Sequence, residues 1–151
     1  MSDKSWLVTC CNELGGLLEF NPQTGESEKL LDENCRGIAK YNEYYVLATT
    51  SAGLMLLDNK FRVIRAGGRP LLDYHGVAVG GDFAYVVETH RNTIGIFRLP
   101  DLEKVREIRL FHEERDVLHM NDLFIVGDRL LISMFSFDSF WRDQNDWPQG
   151  A

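Results

Sequence analysis

The sequence has 151 residues, of which 44% are hydrophobic and 26% charged, and this composition is typical of a globular chain and argues against wholesale disorder. The formal net charge of −7 disfavours nucleic acid and anionic membranes as partners, because their phosphates would be repelled. No run approaches the ~18 apolar residues of a membrane span, and the apolar segment after Met1–Lys4 is too short for a signal peptide, so we expect a cytoplasmic protein.

The first predicted unit covers residues 5–31 and contains three strands. Two short apolar segments begin at Trp6 and Gly16, and a more polar segment begins at Glu26 after the turn residues of 21–25. Short segments broken by Gly, Asn and Pro favour strands over helices. Compared with the units that follow, this one lacks its first strand.

Three later segments align without gaps and begin 39 and 46 residues apart, which is close to the repeat of roughly 40–45 residues that is typical of propeller blades. They are residues 36–47, 75–86 and 121–132. Each has a small or polar opening pair, an apolar strand, a two-residue turn and a second apolar strand. The turn residues Asn42-Glu43, Gly81-Asp82 and Gly127-Asp128 tolerate the positive φ of tight hairpins.

A third apolar strand and a fourth, more polar strand follow the first two of these hairpins. The third strands begin at Gly53 and Gly95, and the polarity of the fourth suits an exposed outer edge. The pattern predicts an all-β fold, a partial β-propeller of four-stranded antiparallel blades with about three to four blades of a six-bladed ring. The predicted units are blade 1 (strands B–D, 5–31), blade 2 (36–66), blade 3 (75–110) and half of blade 4 (120–151).

The half blade ends at Gly150, where the other units begin their third strand. We therefore interpret the chain as an N-terminal fragment, inactive by itself. The faces that further blades would cover are expected to expose apolar side chains and to favour self-association.

The opening residues of the three aligned segments are the first candidate site. Arg36, His75 and Asn121 occupy equivalent positions, so blades related by rotation should bring them together at the mouth of a central channel. Asp122 adds a carboxylate where the other segments have glycine, and His119 lies two residues before Asn121. The alternative is a ring of solvated polar residues lining a water-filled channel.

Glu88 and His90 are the second candidate. Two residues apart on one strand, they would point to the same side and could ligate a cation or act as an acid–base pair. The alternative is a surface carboxylate beside a hydrogen-bonded loop histidine. A divalent metal (Ca, Mn or Zn) would take its ligands from the set His75, Glu88, His90, Asn121 and Asp122.

Two further segments are ambiguous. Gly67-Gly68-Arg69-Pro70 is either an anion-binding loop or, as we favour without a following helix, the link between two blades. The aromatic tail 135–141, with Trp147, either stacks on a sugar ring or, as we favour, packs against a further blade.

Familiar catalytic and metal motifs are missing from the sequence. It contains no GxSxG, HExxH, Walker or dinucleotide-binding motif. Cys10, Cys11 and Cys35 form neither a CxxC nor a disulfide framework and are interpreted as small buried thiols.

The segments Leu7–Asn12, Gly15–Phe20 and Asn21–Glu26, with His75–Ala78 and His119–Asp122, resemble an uncharacterised family of bacterial propeller proteins about twice this length. More distantly, the chain is similar to six-bladed propellers of the NHL, SMP-30/gluconolactonase and strictosidine-synthase-like groups. The resemblance implies a blade architecture more than an activity.

Two functions are compatible with these observations. One is a non-enzymatic scaffold that presents its channel mouth to a small molecule, glycan or protein. The other is a metal-dependent hydrolase, lactonase or lyase of the six-bladed class. We favour the first, because the scaffold is clear and a catalytic motif is missing.

Overall fold

The computed structural model describes residues 5–12, 14–69, 72–137 and 140–143. Pro70, Trp147 and Gly150, which entered the predictions above, lie outside these residues. The described part contains no α-helix, and its 3-10 turns include Thr89–Arg91 and Trp141–Asp143. None of the helices described is long and apolar enough to cross a membrane.

Thirteen strands form four antiparallel sheets in the described residues, and within each sheet the strands follow one another in chain order. The first sheet comprises β1 (Trp6–Cys10), β2 (Gly16–Phe20) and β3 (Ser27–Leu31). The second comprises β4 (Cys35–Tyr41), β5 (Tyr44–Thr49), β6 (Gly53–Leu57) and β7 (Val63–Gly67). The third comprises β8 (Tyr74–Gly80), β9 (Phe83–Glu88), β10 (Thr93–Arg98) and β11 (Glu103–Arg109), and the fourth comprises β12 (Met120–Val126) and β13 (Arg129–Met134). The predicted all-β fold with four-stranded antiparallel sheets is confirmed.

The predicted hairpin turns join the first two strands of the last three sheets. Their first residues have positive φ, 51° at Asn42, 59° at Gly81 and 60° at Gly127. Asn and Gly are the residues that adopt this conformation most readily, so the local sequence sets the hairpins.

Three apolar clusters lie between successive sheets. Leu17 of the first sheet packs with Leu47 and Leu57 of the second, and Val46 and Leu54 of the second pack with Val86 of the third. The third cluster joins the third and fourth sheets. It includes Val87, Ile94, Met120 and Leu123. The sheets therefore stack face to face, each burying apolar side chains against its neighbours.

Apolar side chains are exposed at both ends of the stack. Trp6 of the first sheet is 57% exposed, and Phe124 and Leu131 on the far face of the fourth are 67% and 53% exposed. The outer strands β7 and β11 are mostly exposed, as the polarity of their sequences predicted. Self-association through the end faces stays a prediction.

Candidate functional site

Three inner strands meet at one cavity of about 280 Å³, which we call the mouth cavity. Arg36 of β4, His75 of β8, and Asn121 and Asp122 of β12 line it, together with Thr9 and Cys11 near the end of β1. The gapless alignment predicted that the first three side chains would converge, and the structure brings them together. Whether they bind a ligand stays a prediction.

A β-bulge places each of these side chains at the cavity. The pairing of β4 with β5 skips from Cys35 to Ile38, and that of β8 with β9 skips from Tyr74 to Val77. In the fourth sheet the extra residue is Asn121. A bulge leaves a residue out of the ladder and re-aims its side chain. The opening residues therefore turn toward the mouth cavity while the strands after them remain regular.

Glycine at the second position of two segments allows the inner strands to approach closely. A Cβ on Gly37 would lie 2.5 Å from the carbonyl oxygen of His75, and one on Gly76 would lie 2.6 Å from the Cα of Asp122. Such distances are shorter than any Cβ contact in folded proteins. The carboxylate of Asp122 occupies the space that the missing Cβ of Gly76 leaves open.

Asp73, just before β8, organises the charges at the mouth cavity. Its carboxylate lies 3.5 Å from a terminal guanidinium nitrogen of Arg36 and 3.3 Å from Nε2 of His75. The hydrogen bond with His75 lowers the pKa of Asp73 below its ordinary value, and the charges of His75 and Arg36 act in the same direction while partial burial opposes them. Sequence reasoning missed Asp73. If the alignment is extended two residues upstream, Asp73 is equivalent to Asn34 and His119. The backbone carbonyl of each of these three residues accepts a backbone N–H from the residue that follows the next strand.

His119 is fixed behind the cavity rather than lining it. Its ring lies 5.8 Å from that of His75 and stacks on Trp141 at 4.1 Å. Asp116 accepts hydrogen bonds from Trp141 Nε1 at 3.0 Å and from the His119 backbone N–H at 2.9 Å, and lies 2.5 Å from His119 Nδ1. Trp141 therefore packs on its own unit, whereas the sequence had favoured a further blade. The strand pattern of the sequence did not indicate that Asp116 would hold His119 and Trp141 in place.

The predicted Glu88–His90 pair is not formed. Strand β9 ends at Glu88, and the 3-10 turn that follows leaves His90 exposed while Glu88 is fully buried. The Glu88 carboxylate accepts hydrogen bonds from Thr93 Oγ1 at 2.5 Å and Lys104 Nζ at 2.8 Å, so it faces the outer strands. Strand alternation does not apply across a 3-10 turn, which is why the same-side argument fails here.

The five residues of the predicted metal set are thus separated. His75, Asn121 and Asp122 line the mouth cavity, whereas Glu88 and His90 do not. In the described part of the chain, no group of three or more His, Cys, Asp or Glu side chains is arranged to hold a metal ion. A metal site formed from these five residues stays a prediction, and the structure does not bring all five together.

Asn92 is a second residue that sequence reasoning missed. It is buried, has φ of 53°, and follows the 3-10 turn. Its Nδ2 donates to the carbonyls of Glu113 at 3.0 Å and Arg115 at 2.7 Å, and its Oδ1 accepts the backbone N–H groups of Val117 and Leu118, both at 3.0 Å. Asn92 holds the loop between the third and fourth sheets, and thereby the position of β12.

No protein-family model matches the sequence, and no curated protein matches it. Two solved structures are similar in fold. The crystal structure of Myxococcus xanthus glutaminyl cyclase has a TM-score of 0.55 and 10% identity, covering 87% of this chain and 67% of that chain. The crystal structure of BamB from Moraxella catarrhalis has a TM-score of 0.55 and 15% identity, covering 87% of this chain and 45% of that chain.

Both similar structures are β-propeller-like proteins. The fold is that of a partial β-propeller. The chain spans about two thirds of the length of the first and less than half of the second. At these sequence identities the likeness concerns architecture alone. We refer to the four sheets as blades 1 to 4.

Proposed function

We propose that the chain is part of a propeller-type binding scaffold whose mouth cavity holds a small polar molecule, about the size of a monosaccharide. The observation that carries the proposal is the convergence of Arg36, His75 and Asn121 from three successive blades on one cavity of about 280 Å³. That volume is close to the lower end of the range of roughly 300–1,000 Å³ for small-molecule sites.

The chemistry of the lining supports a hydroxyl-rich ligand. Arg36 supplies N–H donors, Asp122 supplies a carboxylate, and the amide of Asn121 supplies both a donor and an acceptor. Asp73 already balances Arg36, so the carboxylate of Asp122 is the charge that remains at the cavity. A neutral molecule that both donates and accepts, such as a sugar, matches this lining better than a polyanion.

The ring size and the cellular location that the sequence predicts belong to the same proposal. We propose a six-bladed ring of the NHL or SMP-30 type, supported by the resemblance of the segments 7–26. A cytoplasmic location is part of the same proposal. A glycan or protein partner at the same mouth cavity is compatible with this scaffold. The metal-dependent enzyme is not favoured, because Glu88 and His90 lie away from the mouth cavity.

The test uses the 151-residue chain and a panel of glucose, galactose, glucuronate and serine, with binding followed by thermal shift and titration calorimetry. The sequence predicts an inactive fragment, but all the residues that line the mouth cavity lie within this chain. We therefore expect at least one hydroxylated compound to raise the melting temperature, because a ligand that binds only the folded state stabilises it. Asp122→Asn keeps the side-chain oxygen that accepts the Leu123 N–H at 2.8 Å but removes the charge. A hydrogen bond to a charged group contributes about 1.5–3 kcal/mol, so affinity should fall roughly tenfold or more.

Asp128→Asn is the matched control, because Asp128 lies in the exposed turn at the opposite end of the same hairpin. It should bind as the unchanged chain does. No binding across the panel, or equal affinity in the two variants, would contradict the proposal. A stabilisation by Ca²⁺, Mn²⁺ or Zn²⁺ that Asp122→Asn abolishes would favour the enzyme instead.

A further inference from the structure

The outer strand of blade 2 lies in a segment with a local excess of positive charge. Residues 60–69 contain four cations and no carboxylate, in a chain whose net charge is −7. The cations are Lys60, Arg62, Arg65 and Arg69. They lie before, within and after β7, and all four are exposed. The positive charge of this segment therefore faces the solvent.

Ion pairs within the protein account for one of these four cations. Arg62 lies 2.6 Å from the carboxylate of Asp58. Across residues 5–12, 14–69, 72–137 and 140–143, no ion pair is formed by Lys60, Arg65 or Arg69. Three cations around β7 thus have no counter-charge from the described part of the chain.

The outer strands of blades 1 and 3 contain both signs of charge and form ion pairs. In β11, Lys104 and Arg109 lie 2.8 and 3.3 Å from carboxylate oxygens of Glu107. Lys29 of β3 lies 2.9 Å from the carboxylate of Asp32. The three outer strands occupy equivalent places in their blades. The position of β7 in the fold therefore does not explain why its cations are unpaired.

The second feature of β7 is a free edge. Blade 2 has the strand order β4-β5-β6-β7, and in the described part of the chain neither a strand nor a loop backbone group pairs with the outer edge of β7. Such an edge presents a row of backbone N–H and C=O groups, to which an extended peptide can add as a further strand. Val63 and Ile64 are 46% and 53% exposed, so an added strand would also make apolar contacts.

The pairing of β7 with β6 shows which side chains an added strand would meet on each face of the sheet. Arg65 pairs with Leu56, which packs toward blade 3, whereas Val63 pairs with Leu57, which packs toward blade 1. Arg65 and Val63 therefore lie on opposite faces. A carboxylate opposite Arg65 and an apolar side chain opposite Val63 would both form favourable cross-strand pairs. A strand in which acidic and apolar residues alternate provides both, because successive side chains point to opposite faces.

We propose that the free edge of β7 binds an acidic, extended segment of a partner protein, which adds to blade 2 as a further strand. Charge complementarity selects the partner, because positive charge that the chain does not neutralise lies along this edge. The same charge acts against pairing of β7 with β7 of a second copy, since like charges opposite each other are destabilising. The acidic strand β3 of a second copy lacks the alternation, because Lys29 follows Glu28.

The test measures the binding of labelled peptides to the 151-residue chain by fluorescence anisotropy. The first peptide alternates glutamate with valine. The second replaces each valine with proline, which keeps the charge but removes backbone donors and opposes strand formation. The third replaces each glutamate with glutamine. We expect the first peptide to bind roughly fivefold or more tightly than either of the others, because they lose backbone hydrogen bonds or ion pairs.

The variant Arg65→Gln/Arg69→Gln tests whether the cations around β7 are responsible. Both residues are exposed, so folding should be retained and is checked by circular dichroism. The matched control Arg106→Gln/Arg129→Gln removes the same charge from exposed positions outside residues 60–69. We expect the affinity for the glutamate–valine peptide to fall roughly fivefold in the first variant, as for the loss of two exposed ion pairs, and less than about twofold in the control.

Four results would overturn the proposal. An equal loss in both variants would show a response to net charge alone, and equal binding of the valine and proline peptides would show that no strand is added. Self-association that Arg65→Gln/Arg69→Gln removes, measured by analytical ultracentrifugation, would assign the edge to a second copy. Binding of a DNA oligonucleotide without binding of the acidic peptide would assign it to nucleic acid. Asp122→Asn should leave peptide binding unchanged, so this test and that of the mouth cavity give separate results.

Discussion

Gly76→Ala tests the close approach of the inner strands on which the mouth cavity depends. The added Cβ would lie 2.4 Å from Asp122 Oδ1, 2.6 Å from Asp122 Cα and 2.9 Å from the Leu123 nitrogen. Two of these atoms are backbone, so the contact cannot be relieved by rotating a side chain, and β12 must move away from β8. Overpacking of this kind costs about 1–3 kcal/mol, and we expect a value in the upper part of that range.

Gly80→Ala is the matched control, because Gly80 ends the same strand. Its Cβ would meet the end of the Ile125 side chain at 3.0 Å, and that methyl group can rotate away. We expect a change within about 0.5 kcal/mol. Urea unfolding followed by fluorescence and circular dichroism measures both variants, with the midpoint compared at unchanged slope.

The double variant Gly76→Ala/Asp122→Ala identifies which atoms of Asp122 cause the loss of stability in Gly76→Ala. Removing the Asp122 carboxylate eliminates the 2.4 Å contact but leaves the 2.6 Å contact with Cα, so the rescue should be incomplete. Full recovery would show that only a side chain is in the way. Equal stability of Gly76→Ala and Gly80→Ala would refute the argument that the inner strands approach closely.

Three further predictions concern single residues. Asn92→Asp replaces the two amide donors with an acceptor that faces two backbone carbonyls, so we expect a loss of about 2–4 kcal/mol in urea unfolding, since each buried group left unsatisfied costs ~1–3 kcal/mol. The hydrogen bond with His75 lowers the folded-state pKa of Asp73. The ionised carboxylate therefore stabilises the folded state above the ordinary pKa of 3.8, and this stabilisation is lost as the pH falls through the lower folded-state pKa. In Asp73→Asn the free energy of unfolding should depend less on pH in this acidic range. Burial raises the pKa of Cys35 to about 12, so iodoacetamide at pH 8 should label the exposed Cys11 while Cys35 reacts only in urea, as read by mass spectrometry.

The strands were predictable because they are set by local patterns. The apolar runs and the turn residues at Asn42, Gly81 and Gly127 determine each hairpin without reference to the rest of the chain. The convergence of Arg36 and His75 was also predictable, since equivalent positions in repeated units are related by rotation. The sequence repeat therefore allowed the residues of the mouth cavity to be predicted from local patterns.

The parts that sequence reasoning missed depend on irregular backbone. The 3-10 turn after Glu88 interrupts strand alternation, and a three-residue turn leaves no periodic signal. Asn92 and Asp116 bond to loop groups whose positions follow only from the packing of two blades. The bulges that aim the opening residues are recognised from a shift in pairing, which a single strand sequence does not contain.

The space between neighbouring blades differs in size because the blades diverge from the inner to the outer strands. At the inner strands, Gly76 and Asp122 approach until a single Cβ would clash, so the side chains that the bulges re-aim enclose a space of only about 280 Å³. At the outer strands the gap between the second and third sheets widens to a cavity of about 560 Å³, where Lys104 and Glu107 lie beside the apolar ring of Phe97.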